Sequence, residues 1–177
     1  MTLKLHIGTG STYLPGWTNV DIFSFVNADV YSNAMNLPYN RESFDLIYAS
    51  HVLEHFNRHM ILAVLGHWRN LLRPAGILRL AVPDFRAICE YYMKTSSLIQ
   101  VTGLLYGGQK HFLDVHHIIF DRETLSDCLY SVGFKTVQEW DWRKTIHKHY
   151  DDYSQAYLPH MDKENGMLMS LNLEAIK

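Results

Sequence analysis

The chain has 177 residues, 47% of them hydrophobic, and 16 basic against 18 acidic side chains leave a formal charge of −2. This length and apolar content suit one domain, residues 1–177, with a sizeable core, and the absence of a Lys/Arg block excludes the electrostatic footprint of a duplex-binding protein. The chain opens on a strand pattern, not a leader, and no apolar run is long enough to span a bilayer. Its two cysteines, Cys89 and Cys128, fall in segments of helical pattern and read as buried thiols, so the expected setting is reducing, cytoplasmic and membrane-free.

Residues 3–7 alternate in polarity and end at Gly8, and residues 17–22 and 28–31 are short β-prone runs bounded by Gly, Pro and Asn. Residues 45–49 form a further apolar strand that ends in Ser50 and His51 and leads toward a helix. Met60, Ile61, Val64, Leu65, Trp68, Leu71 and Leu72 then recur at helical spacing until Arg73-Pro74-Ala75-Gly76 stops them. A strand over 77–82 and a helix from Asp84 to about Ser96 follow, and the glycines at 103, 107 and 108 mark a mobile-looking segment. Asp121 caps a last helix, with Leu125, Cys128, Leu129 and Val132 as its stripe and Gly133 as its stop. Two late strands span 135–141 and 167–176.

Alternating strands and helices predict an α/β fold, a mostly parallel sheet covered on both faces, with the last strands as an antiparallel edge. One joint is unusual. Only residues 9–18 connect the first two strands, too few for an ordinary helical crossover. Passing a short strand takes roughly 17 Å and ten extended residues reach about 33 Å, so a loop suffices. The first helix is therefore expected to be missing or vestigial, and a trimmed sheet face invites a homodimer.

Ligands of such sheets bind beyond the carboxyl ends of the strands. Gly8 and Gly10 after the first strand permit close backbone approach, yet Tyr13 stands where a third glycine would complete a dinucleotide fingerprint. Asp21 closes the second strand, where a carboxylate can accept both hydroxyls of a ribose, and Asn33 and Ala34 follow the third. A plain turn explains each feature separately; their coincidence at successive strand ends is the stronger signal.

With these residues, the segments Leu5 to Gly10, Gly16 to Asp21, Asn36-Leu37-Pro38-Tyr39, Ser43 to Phe56, Leu72 to Gly76 and His116 to Asp121 resemble the class I S-adenosylmethionine (SAM)-dependent methyltransferases. The likeness is to the small type 11 group associated with sugar and surface-polysaccharide pathways. It implies a Rossmann-like, mostly parallel seven-stranded sheet. It also implies that Gly8 and Gly10 face the methionine part of SAM, Asp21 holds the ribose, Asn33 and Ala34 sit by adenine, and Ser50 and His51 approach the sulfonium. Departures from the pattern are His6 in place of an acid, Thr9 in place of Cys, and Asn33 in place of Asp, whose amide oxygen can still accept a hydrogen bond. The implied reaction is methyl transfer to a hydroxyl, or less readily a nitrogen, of a small polar acceptor, with His51, His55 or His116 as catalytic base.

The segment His51-Val52-Leu53-Glu54-His55 has a second reading. Read as helix, it puts two imidazoles and a carboxylate on one face, the H-x-x-E-H arrangement of certain metalloproteases. It is also similar to the E-x-x-E-H pattern, completed by a distant His, of metal-assisted O-methyltransferases, with His51, Glu54, His55 and His116 as candidate ligands of a divalent metal. The alternatives to an active methyltransferase are a non-catalytic binding protein of that fold and a metal-dependent hydrolase. The histidines at 147, 149 and 160 lie with Tyr150, Asp151, Asp152 and Tyr153 in a long excursion between the final strands. That excursion is either a lid or a cover for the sheet face the missing helix leaves bare.

Overall fold

The computed structural model describes residues 2–177. Five strands run parallel: β1 (Lys4–Ile7), β2 (Thr18–Asp21), β3 (Val30–Tyr31), β4 (Phe44–Ser50) and β5 (Leu72–Pro83). Beyond them lie β6 (Thr136–Glu139) and, antiparallel to both β5 and β6, β9 (Ser170–Ile176). The resulting order, β3-β2-β1-β4-β5-β9-β6, places the antiparallel pair at the sheet edge as expected.

Alternation along the strands divides the core. Leu5, Ile7, Ile47, Ala49, Leu78 and Leu80 belong to one cluster, covered by α1 (Ile61–Leu71) and α4 (Arg122–Ser131) through Leu65, Trp68, Leu125 and Leu129. The predicted stripe of α1 is its buried face: Ile61, Val64, Leu65, Trp68 and Leu71. Asp121 caps α4 through the Thr124 backbone N–H, and Thr124 reciprocates to the Asp121 N–H.

Some boundaries differ from the sequence reading. β5 starts at Leu72, because Phe44 pairs with Leu72 before the register jumps to Leu46 and Ile77, so residues 73–76 form a bulge within the strand. Where mobility was expected, α2 (Phe85–Thr95) is followed by α3 (Leu98–Tyr106). Gly103 sits inside α3 facing open space, and Val101 packs into a cluster with Ile88, Tyr91 and Met169. The last predicted strand is split, with β8 (Met167–Leu168) pairing with β7 (Tyr157–Leu158) as a hairpin before β9 begins. Cys89 is exposed on α2 and only Cys128 is partly buried, against the expectation of two buried thiols. Among the described residues no helix is long and apolar enough to cross a membrane.

The crossover from β1 to β2 has no helix, as predicted, and the buried amide of Asn19 organises it instead. Its Oδ1 accepts from the Leu14 N–H, and its Nδ2 donates to the carbonyls of Leu14 and Trp17. The loop places Leu14 and Trp17 against Leu46, Tyr48 and Trp140 on the sheet face opposite α1. The excursion after β6 then closes that face: His147 lies 4.3 Å from the Tyr48 ring and 5.9 Å from both Trp17 and Trp140. Asp152 accepts a 2.6 Å hydrogen bond from the Tyr48 hydroxyl. The face expected to invite a partner is thus covered from within the chain. Burial of each large aromatic side chain contributes roughly 2–3 kcal/mol.

Burial lowers the His147 pKa from its ordinary 6.5 to about 4, against the opposing pull of Asp152. The unfolded chain therefore binds a proton below pH 6.5 that the folded chain refuses until about pH 4, so stability is full above this window and is lost as pH falls through it. On the order of 3 kcal/mol is at stake, at about 1.36 kcal/mol per pKa unit. Urea unfolding midpoints measured from pH 7 to 4 should fall, and His147→Phe should flatten the dependence.

Candidate functional site

The carboxyl ends of β1, β2 and β4 open into a cleft of about 780 Å³. At its floor Gly8 turns the chain with φ of 75°, its N–H donating to the Val20 carbonyl at 2.8 Å. A methyl group on Gly8 would collide with Val52 Cγ2, so the close packing of the turn on the end of β4 requires glycine. Gly10, with φ of 50°, has nothing near the position a side chain would take.

Asp21 meets this turn directly. Its Oδ2 accepts from the Gly10 N–H and its Oδ1 from the Phe23 N–H, each at 2.9 Å, so one carboxylate pins the glycine turn to the exit of β2. Each oxygen keeps lone pairs for a further donor. Asn33 and Ala34 also line the cleft; the Asn33 Oδ1 accepts from Met35 N–H and the Ala34 carbonyl from Trp68 Nε1.

Ser50 ends β4 on the cleft wall, its hydroxyl buried and unpartnered. His51 follows in the left-handed region, φ of 52°, where a non-glycine residue is strained; its N–H donating to the Ala81 carbonyl holds it there. Its Nδ1 lies 3.2 Å from Glu54 Oε1 and its Nε2 3.3 Å from the Ser170 hydroxyl. That hydroxyl can direct its proton to Asn172 Oδ1 at 2.9 Å, which leaves the His51 Nε2 lone pair free.

The residues after His51 do not form the expected helix. Leu53–His55 is a single 3-10 turn, and the α-helix begins only at Ile61. His51 and His55 are therefore not one helical turn apart on a common face, and the metalloprotease-like H-x-x-E-H geometry is absent. The loop carrying His116 docks on this turn instead. The His117 N–H donates to the Glu54 carbonyl, His55 Nδ1 contacts the Val115 carbonyl at 3.1 Å, and His116 Nδ1 contacts the Leu104 carbonyl at 2.9 Å.

Glu54, His55 and His116 consequently converge, with one ligand atom from each lying within 4.8 Å of the others. His51 is outside this trio. His55 lines the cleft, whereas His116 stands behind Glu54, its Nε2 at 3.9 Å from Oε1, and not on the cleft wall where a base acting on an acceptor belongs. Glu54 is fully buried, and neither oxygen has an aligned hydrogen bond. Burial alone pushes its pKa up, but the neighbouring His51, with His55 and His116, outweighs that and holds the carboxyl below its usual range. Burial keeps the His116 pKa below its ordinary value.

The excursion contributes Asp151, Asp152 and Tyr153 to the rim, with the Tyr153 ring 5.3 Å from His51. Sequence reasoning missed Phe23, Phe25, His111 and Asp114 on the opposite rim. Phe23 stacks on Phe25 and meets His111 edge-on, the latter a contact between distant segments that no local pattern announces. His117, His149 and His160 are exposed.

The strand order and this cleft have counterparts among solved structures. A SAM-dependent methyltransferase from Thermotoga maritima superposes over 100% of this chain and 83% of its own, with a TM-score of 0.64 at 16% identity. The fold is that of the SAM-dependent methyltransferases. One from Mesorhizobium loti matches 99% of this chain and 91% of its own, with a TM-score of 0.59 at 17% identity. A Burkholderia thailandensis 1,6-didemethyltoxoflavin-N1-methyltransferase, bound to its acceptor and S-adenosylhomocysteine, matches 99% and 71%, with a TM-score of 0.56 at 14% identity. The type 11 methyltransferase-domain family matches residues 16–80, from just before β2 into β5, and so supports the methyltransferase assignment without reaching the glycine turn. No curated protein matches the sequence.

Gly8→Ala should destabilise this methyltransferase fold by about 2–5 kcal/mol, combining left-handed strain with overpacking. Gly10→Ala, with open space around it, should cost less. Urea denaturation of the two variants beside the parent measures the difference.

Proposed function

We propose that the protein transfers the methyl group of SAM to a hydroxyl oxygen of a small polar acceptor, with a sugar or surface-polysaccharide precursor as the favoured class. The observation that carries the reading is the meeting of Asp21 with the Gly8–Gly10 turn on the wall of a nucleoside-sized cleft. The residues present fit SAM: free Asp21 lone pairs can take ribose hydroxyls, and the turn offers backbone without side chains. SAM, when bound, supplies an electrophilic methyl group on a sulfonium.

The chain's own groups suit that charge. Asp21, Asp114, Asp151 and Asp152 line the cleft and no Lys or Arg does, an environment that favours a sulfonium and disfavours phosphorylated acceptors. His51 is the best-placed base. The buried Glu54, 3.2 Å from its Nδ1, favours the proton on that nitrogen, and its Nε2, which faces the Ser170 hydroxyl at 3.3 Å, is then the nitrogen that can take the proton of an acceptor hydroxyl beside Ser50. The ordered walls hold donor and acceptor in line, a positioning effect that can reach effective molarities of about 10⁵ M or more.

Calorimetric titration with S-adenosylhomocysteine should show one site, and Asp21→Ala should weaken it about 10- to 100-fold, the loss of charge-assisted hydrogen bonds. Absence of binding by folded parent protein would remove the proposal. With labelled SAM and a panel of sugar alcohols and glycosides, His51→Gln should reduce turnover by roughly 10²- to 10⁴-fold while changing S-adenosylhomocysteine affinity only a few-fold.

A further inference from the structure

We propose that Glu54, His55 and His116 hold a first-row divalent transition-metal ion at the end of the cleft. The argument begins with the tautomers. His55 Nδ1 and His116 Nδ1 each face a backbone carbonyl, of Val115 and Leu104, which can only accept. Both Nδ1 atoms therefore carry a proton, and both Nε2 atoms of the neutral rings present lone pairs. An imidazole oriented by a carbonyl on its far nitrogen is how protein histidines are prepared to ligate metals.

The third ligand is Glu54, whose side chain is 0% exposed and has no aligned hydrogen bond on either oxygen. A buried carboxylate left in that condition is costly, and a cation between it and the two lone pairs satisfies all three groups at once. One ligand atom from each residue already lies within 4.8 Å of the others. Bonds of about 2.0–2.2 Å to a common tetrahedral ion put ligand atoms roughly 3.3–3.6 Å apart, so the trio must close by up to about 1.5 Å as the ion enters. Two imidazoles and one carboxylate select zinc, manganese, iron or cobalt over magnesium or calcium.

His51 belongs to the support of this site and not to the ligand set. Its Nδ1 lies 3.2 Å from Glu54 Oε1, the oxygen that His116 Nε2 approaches at 3.9 Å, and so orients the carboxylate. Three protein ligands leave coordination positions open, the mark of a catalytic site, and His55 puts them on the cleft wall. An acceptor hydroxyl bound there would have its pKa lowered, easing proton loss to His51. That role rests on the methyltransferase reading; the binding of the ion does not.

The test uses the full chain, stripped with chelator and titrated with Zn²⁺ by calorimetry and with Co²⁺ by visible absorption, without SAM. One equivalent of either ion should bind, with a cobalt d–d spectrum of nitrogen and oxygen ligation. Glu54→Gln, His55→Gln and His116→Gln should each weaken binding by at least the roughly 10- to 100-fold that loss of a supporting partner costs. His51→Gln should keep the stoichiometry. Circular dichroism melts identify variants that fail to fold, and the cobalt spectrum of the parent stands independently of them.

Absence of uptake by folded parent protein, or uptake undiminished in Glu54→Gln and His116→Gln, would overturn the site. S-adenosylhomocysteine titration of the same preparation separates the two readings. Binding of that ligand without metal removes the metal site alone, and metal binding without it removes the methyltransferase reading alone.

Discussion

A mostly parallel sheet must bury both faces, and this chain provides no helix between β1 and β2 to cover one of them. Everything on that side follows from the substitute. Asn19, held within β2, ties its amide to Leu14 and Trp17, with His6 and Asp29 as further partners, so a loop of fixed shape stands where a helix would. The residues after β6 complete the layer: the indole N–H of Trp140 donates to the Leu80 carbonyl and His147 packs over Tyr48. Burial, reinforced by the negative charge of Asp152, holds the Tyr48 pKa well above its ordinary value. The phenol remains a neutral donor, and the carboxylate it serves also takes the Ser154 N–H at 2.8 Å.

The cover and the cleft are one construction. Asp152 faces Tyr48 beneath the sheet ends and lines the cleft above them, Thr12 in the helix-free loop donates to the Asp151 carbonyl, and Tyr153 stacks toward His51. The sequence reading posed a choice between lid and cover for this excursion; it covers the sheet face, and Asp151, Asp152 and Tyr153 also line the cleft rim. The layer beside the helix-free loop is thus a segment rich in carboxylates and aromatics, which sets the charge that a ligand meets at the rim.

Much of this was legible in the residues. The strands that feed the site, the missing helix, the α1 stripe and the capped α4 all have local causes: period, punctuation by glycine and proline, and cap chemistry. The meeting of Asp21 with the glycine turn was legible too, because adjacent parallel strands bring their ends together. What failed was of two kinds. Gly103 reads as a breaker, but α3 survives it because Val101 packs against its neighbours, a tertiary gain of the kind that overrides propensity. The turn at Leu53–His55 reads as helix because His51, Glu54 and His55 have helical spacing, yet the left-handed backbone at His51 breaks the run before it starts. The opposite rim, with Phe23 against His111, depends on segments far apart in sequence and left no local trace.

Glu54 stands apart from the other buried acid of this site. Asp21 has two backbone N–H groups, one for each oxygen, and needs nothing more to be at rest. Glu54, buried more completely, has only the off-line approach of His51 and the distant Nε2 of His116. Desolvating a carboxylate costs several kcal/mol, and a neutral imidazole does not return that. The left-handed backbone of His51 adds a further cost of about 1–2 kcal/mol at the other end of the same short segment. These two costs fall within a few residues of each other at the end of β4, beside the cleft.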